Sequence, residues 1–235
     1  MNAVASGGTV NVAAGAYAED VMIAAAKGAV DLAGEGSATT TIKGVALVDA
    51  ISWPLADPNI EILADGVKLH GFTVESPDAA AGFYSSGVVI GGANVEIYGN
   101  AFRVADAASL DDVSQALQTY RDAFNPTGGD LDGLRIHDNT FTSFRTEAAG
   151  FEAIFINHVS AGAAPAGTVT IANNTFSGAV LRAITTERSK TDITGNTVTT
   201  TLAVENTFQG MQVRDYDDRD VASVLVSANQ ISGFR

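Results

Sequence analysis

Leu134-Arg-Ile-His-Asp-Asn-Thr-Phe141 is the stretch that decides the fold, because the chain spells it repeatedly. Close copies are Val95-Glu-Ile-Tyr-Gly-Asn-Ala-Phe102, Val169-Thr-Ile-Ala-Asn-Asn-Thr-Phe176, Thr191-Asp-Ile-Thr-Gly-Asn-Thr-Val198 and Val224-Leu-Val-Ser-Ala-Asn-Gln-Ile231. A looser copy is Val67-Lys-Leu-His-Gly-Phe-Thr-Val74. The common form is apolar-x-apolar-x-x-Asn-x-apolar. Alternation over the first three positions is a strand signal. The Gly, Asp or Asn that precedes the recurring Asn in most copies is a turn signal, because these residues tolerate the left-handed conformation. Each copy therefore reads as a strand, a tight bend and a second short strand, which is one corner of a parallel β-helix coil. One unit alone cannot bury its apolar face, but a stack of them can.

Working outward, a quieter repeat lies between the octamers: Ser86–Ile90, Gln115–Thr119, Glu152–Ile156, Arg182–Thr186 and Gln209–Val213. It reads polar, small, apolar, any residue, then apolar or Thr. Each coil thus holds a small-residue strand followed by the octamer. The shortest spacing of ladder residues, Asn174 to Asn196, is a bare coil of 22 residues. Longer spacings carry loops at Asp106–Asp112, Asp122–Asp132, Val159–Gly167 and Arg214–Ala222. Residues 109–120 allow a second reading, since Ser109 and Asp112 form a capping pair and Leu110, Val113, Leu117 and Tyr120 have helical spacing. A strand over 115–121 fits better, because the coil is owed one there. In the first sixty residues the expected strands are Thr9–Val12, Val21–Ile23, Val30–Leu32, Thr41–Ile42 and Ile60–Ile62. The expectation is an all-β, single-stranded, right-handed parallel β-helix with three parallel sheets and roughly eight coils. It forms one domain over residues 1–235. Asn100, Asn139, Asn174, Asn196 and Asn229 should pile up as an internal amide ladder with a step of about 4.8 Å. Phe102, Phe141, Phe176, Val198 and Ile231 should form an interior stack.

The net charge is −14, from 27 acidic and 13 basic residues. That balance argues against a nucleic-acid partner, whose backbone is bound by Lys and Arg, and against an anionic membrane surface. Absence of cysteine excludes disulfides, thiolate catalysis and cysteine zinc sites. No apolar run is long enough for a membrane span. The first residues lack the basic and apolar regions of a signal peptide. Both ends fall close to repeats, and the expectation is a piece excised from a longer bacterial protein that is secreted or displayed on the cell surface.

Three segments, Gly7-Gly-Thr-Val-Asn-Val-Ala-Ala-Gly-Ala-Tyr-Ala-Glu19, Val30-Asp-Leu-Ala-Gly-Glu-Gly36 and Val67–Val74, resemble the first coils of right-handed parallel β-helix proteins of the pectin-lyase-like superfamily. The resemblance covers nearly the whole chain. It implies a fold shared by polysaccharide lyases, glycoside hydrolases, esterases, alginate epimerases, phage tailspikes and non-catalytic surface proteins, so it does not select an activity. The Gly-Arg-Pro-Trp of pectin methylesterases, the paired motifs of polygalacturonases, the Asp-Pro-His-Glu of alginate epimerases and the Trp-x-Asp-His of the main pectate lyases are all missing.

Alternation along the small-residue strands points Gln118, Phe155, Thr185 and Gln212 outward. Tyr120, Asn157, Glu187 and Arg214 follow them, then Arg121, His158, Arg188 and Asp215. In stacked coils these residues make one patch suited to an acidic polysaccharide, since Arg grips carboxylates in a fork. In a lyase- or epimerase-like reading, Arg188 or Arg214 neutralises the substrate carboxylate, and His158 or Tyr120 removes the proton α to it. Glu187 completes the catalytic set, and Arg121, Asn157, Phe155, Gln118 and Gln212 bind substrate. The plain alternative is a solvated face in which Glu187, Arg188, Arg214 and Asp215 pair among themselves. Asp215, Asp217, Asp218 and Asp220 offer the oxygen ligands that Ca²⁺ prefers, although the EF-hand glycine and closing Glu are missing. The competing function is a non-catalytic structural, adhesin or tailspike-like module. Ice binding by Thr197–Thr201 has only one short run behind it.

Overall fold

Three parallel sheets, here A, B and C, each take one strand from successive turns of a right-handed coil. The computed structural model describes residues 4–44, 57–76, 84–104, 113–120, 131–142, 153–157, 167–178, 180, 182–201, 209–214 and 223–233. Sheet A holds Thr9–Val12, Asp31–Gly34, Lys68–His70, Glu96–Tyr98, Arg135–His137, Val169–Ala172, Thr191–Thr194 and Leu225–Ser227, in that order. Sheet B holds Gly15–Ala18, Thr40–Lys43, Thr73–Ser76, Ala101–Val104, Thr140–Thr142, Thr175–Gly178, Thr197–Thr200 and Gln230–Ser232. Sheet C holds Val21–Ile23, Asp57–Ile62, Tyr84–Ile90, Val113–Thr119, Ile154–Ile156, Arg182–Thr186 and Gln209–Val213. Seven full coils and two strands of an eighth result, as the repeat predicts.

The octamer bends where its fifth residue takes the left-handed conformation. Gly71, Gly99, Asp138, Asn173, Gly195 and Ala228 have φ between 55° and 79°. The following Asn then turns inward. The backbone N–H of Asn100 donates to Asn139 Oδ1 at 3.0 Å, that of Asn139 to Asn174 Oδ1 at 3.0 Å, that of Asn174 to Asn196 Oδ1 at 2.9 Å, and that of Asn196 to Asn229 Oδ1 at 2.8 Å. Each Nδ2 also donates to a carbonyl one coil back, as Asn139 does to Ile97 at 2.9 Å. Buried turns thereby keep their backbone groups paired. Phe72, which occupies the Asn position in the looser copy, closes the ladder by donating its N–H to Asn100 Oδ1 at 3.0 Å.

Register carries the same residue type up each file. Inside sheet A stand Val10, Leu32, Leu69, Ile97, Ile136, Ile171, Ile193 and Val226. Inside sheet B, Phe102, Phe141 and Phe176 stack with ring centroids 4.8 and 4.7 Å apart and nearly parallel planes. The small-residue file at the corner of sheets B and C has a steric cause. A Cβ on Gly87 would lie 2.6 Å from the Ala116 carbonyl oxygen, so at that position even Ala would clash.

The structure departs from the sequence reading in several places. Gly15–Ala18 is a strand of sheet B that the expected strands of the first sixty residues do not include. Residues 113–119 are strand, two residues longer than expected at the start, and the helical reading of that part falls. A short 3-10 turn at Ala25–Lys27 was not foreseen. A second left-handed column, Ala29, Gly66, Asn94, Gly133 and Lys190, stands just before sheet A. Apart from its two glycines, these residues share no side-chain chemistry, so no spelling announced it.

Candidate functional site

The strands of sheet C bring the expected files together. Glu61, Val89, Gln118, Phe155, Thr185 and Gln212 follow one another in register on the outer side. The residues just past the strands stay stacked because their amides bond one coil back. Tyr120 N–H donates to the Ile90 carbonyl at 2.8 Å, Glu187 to Ile156 at 2.8 Å and Arg214 to Thr186 at 2.9 Å.

This face is not the open, solvated surface that alternation implies. Val89, Gln118, Phe155 and Thr185 are buried, and Gln212 is half-buried. Alternation fixes the side of a sheet on which a residue lies; it does not say whether that side meets water. Two polar atoms within the file, Thr185 Oγ1 and Gln212 Oε1, are buried without a hydrogen-bond partner among the described residues. They lie on paired residues of adjacent strands. Each such atom costs about 1–3 kcal/mol if it meets nothing.

The charged groups sort themselves differently from the expectation. Arg214 Nε lies 3.3 Å from Glu187 Oε1, and its guanidinium carbon sits 5.2 Å from the centre of the Phe155 ring. That cation–π contact holds the guanidinium flat against the face. Tyr120 donates its hydroxyl to Glu61 Oε1, two coils back. Burial, then the hydrogen bond and the charge of Glu61, push the Tyr120 phenol well above the usual range. A phenol shifted that way keeps its proton at neutral pH, shared with Glu61, so Tyr120 is not suited to serve as the base.

Two other assignments are corrected. Arg188 does not reach the outer face; its side chain is wholly buried, bonded to Asp132 Oδ1 at 2.6 Å and to the carbonyls of Ser189, Lys190 and Gly167 at 3.2–3.3 Å. It ties together three coils, where a buried charge needs its partners. Asn157 is also turned inward. Its Nδ2 donates to the Thr119 carbonyl at 2.6 Å and its N–H to Thr119 Oγ1 at 2.8 Å. It holds a turn, as the ladder asparagines do. His158, Arg121 and the carboxylates Asp215, Asp217, Asp218 and Asp220 lie outside the described residues. Among the described residues there is no group of three or more His, Asp or Glu placed to hold a metal.

A second polar face went unremarked in the sequence, although the fourth octamer position spells it. On the outside of sheet A the rings of His70, Tyr98 and His137 stack, with centroids 4.7 and 5.4 Å apart. His70 Nε2 lies 3.0 Å from Asp31 Oδ1, and His137 lies 3.1 Å from Glu96 and 2.7 Å from Asp138. Partial burial pushes the Glu96 carboxyl up. The hydrogen bond from His137 and the charges of Arg135, Lys68 and His137 outweigh it and hold the group below its usual value. Burial and the negative charges of Asp31 and Glu96 raise Tyr98. With ring faces turned on one another, this column braces three successive coils.

No family model and no curated protein matches the chain. Among solved structures, a pectin methylesterase from carrot is similar, with a TM-score of 0.50 over 95% of this chain and 78% of that one, at 10% identity. At that identity the likeness shows the fold alone, a right-handed parallel β-helix.

Proposed function

We propose that this protein recognises an acidic polysaccharide on the outer face of sheet C. The observation that carries the reading is the Arg214 guanidinium over the Phe155 ring, beside half-buried Gln212 and Tyr120, on that face. Arg214, laid over Phe155, would meet a carboxylate, and the Tyr120 oxygen would accept a hydrogen bond from a sugar hydroxyl. The carrot protein of the same fold is named for pectin, which makes pectate the first ligand to test.

Recognition is the better-supported half of the reading, and elimination or epimerisation the weaker one. Arg188, one of two guanidinium groups assigned to the substrate carboxylate, is engaged inside the coil stack, and Tyr120 holds its proton. A lyase step would then rest on His158 as base. Calcium held by Asp215, Asp217, Asp218 and Asp220 would add to carboxylate binding, and secretion or surface display would bring the protein to such a polymer.

The test is calorimetry with pectate, alginate and a glycosaminoglycan, with and without EDTA, alongside ultraviolet absorbance for the unsaturated uronate that β-elimination leaves. The expected result is binding of one polymer, weakened at least tenfold by Gln212→Leu or Arg214→Ala. Failure of all three polymers to bind, or variants that bind like the parent, would remove the proposal. Binding without new absorbance would leave recognition standing and end the lyase reading.

A further inference from the structure

The threonine run at 197–201 is one row of a wider array that register assembles on the outside of sheet B. Thr140 and Thr142 flank the inward Phe141, Thr175 and Ser177 flank Phe176, and Thr197 and Thr199 flank Val198. Pairing sets Thr140, Thr175 and Thr197 in one file and Thr142, Ser177 and Thr199 in the next. Ser232 carries the second file one coil further. Thr200, from the same run, is buried and donates to the Val180 carbonyl at 3.0 Å, so it takes no part.

The six hydroxyls are not used by the fold. Thr140, Thr142, Thr175 and Thr199 are exposed, and Ser177 and Thr197 are half-buried. Thr199 meets the Ser232 hydroxyl at 3.2 Å, and the other five have no side-chain hydrogen bond among the described residues. The face is also uncharged, in a chain of net charge −14. In the preceding coils the second file holds Lys43, Glu75 and Arg103, which pair with one another, and the charges stop where the hydroxyls begin.

The array is flat and evenly spaced. Directly beneath it the rings of Phe102, Phe141 and Phe176 are 4.8 and 4.7 Å apart, with planes inclined by only 7° and 10°. Neighbouring strands of an ordinary sheet are rotated by about 20–25°. Rows of hydroxyls therefore repeat at the coil spacing. Within a row the hydroxyls are two residues apart, or about 6.6 Å along a parallel strand. Branching at Cβ restricts the threonine rotamers, which holds the oxygens in place.

We propose that the outer face of sheet B binds the surface of an ice crystal. The partner of this array is uncharged, rigid and periodic in two directions at once. A polysaccharide chain repeats along one direction only. Hexagonal ice repeats along its a axis at close to the coil spacing and along its c axis at close to the two-residue step. Each hydroxyl both donates and accepts, so it can stand in for a lattice water. Sheet C faces another side of the coil, so a polysaccharide there leaves this face free.

Nanolitre osmometry, which reads the gap between melting and freezing points, tests this together with partition of the protein into a slowly grown ice ball. The wild-type chain is expected to facet the crystal, to hold a gap that widens with concentration, and to enter the ice. Thr175→Tyr raises a ring in the middle of the array and is expected to lose all three effects. Thr170→Tyr, on the outside of sheet A between Arg135 and Asp192, is expected to behave as wild type. Circular dichroism checks each fold, and Thr142→Lys replaces Thr175→Tyr if that variant loses its β signal. A wild-type chain that shows no gap and is excluded from ice like serum albumin would overturn the proposal. So would an array variant that keeps the gap, an equal loss in Thr170→Tyr, or retention on crystalline cellulose or chitin with no effect on ice.

Discussion

The residue that most constrains this molecule is the buried asparagine. Asn174 accepts at Oδ1 from the N–H and the Nδ2 of Asn139, and donates from Nδ2 to Ile136 and Asn196. Asn174→Ala strands several buried groups at once, and should cost about 3 kcal/mol in urea denaturation. A cost near zero would mean that water or neighbours satisfy those groups. Thr185 is the opposite case. Its hydroxyl is buried without a partner among the described residues, so Thr185→Val should raise stability by about 1 kcal/mol. A destabilised variant would show that the hydroxyl already has a partner. The ladder was legible because Asn recurs at a fixed place in each octamer. Arg188 was not, because its partner Asp132 lies 56 residues away in sequence, beyond what any local pattern reports.

At the level of the element, a sheet face is read in two steps, and only the first is written in the strand. Alternation placed Gln118, Phe155, Thr185 and Gln212 on one side of sheet C, and register confirmed their file. Their burial depends on what lies against that side, which period-two patterning does not encode. The outer face of sheet A shows how charge is arranged within an element. Asp31, Lys68, Glu96 and Arg135 alternate in sign up one file, and Lys68 and Arg135 both pair with Glu96. The folded-state pKa of Glu96 is depressed, so the unfolded chain takes up its proton first. Its contribution to stability is therefore present above the ordinary carboxylate pKa of about 4.3 and lost as pH falls through the folded value. Glu96→Gln should flatten the fall in the urea midpoint between about pH 6 and about pH 3. An unchanged slope would assign the acid sensitivity to other carboxylates.

Considered whole, the molecule is quasi-one-dimensional: each coil touches its neighbours, and stability is the sum of coils and the interfaces between them. A break in the middle should therefore uncouple the two ends. Phe141 stands between Phe102 and Phe176, and Phe141→Ala should cost about 3–5 kcal/mol and split thermal unfolding into two transitions. A single transition shifted to lower temperature would show that the stack unfolds as one unit. The same one-dimensional order places residues from separate coils side by side on the outer face of sheet C, and the functional account depends on that juxtaposition. The most direct test is an NMR titration of the isotope-labelled chain with an oligogalacturonate. The account predicts saturable shifts confined to the Gln118, Phe155, Thr185 and Gln212 file and to Tyr120 and Arg214. Shifts confined to His70, Tyr98 and His137 on sheet A, or none anywhere, would contradict it.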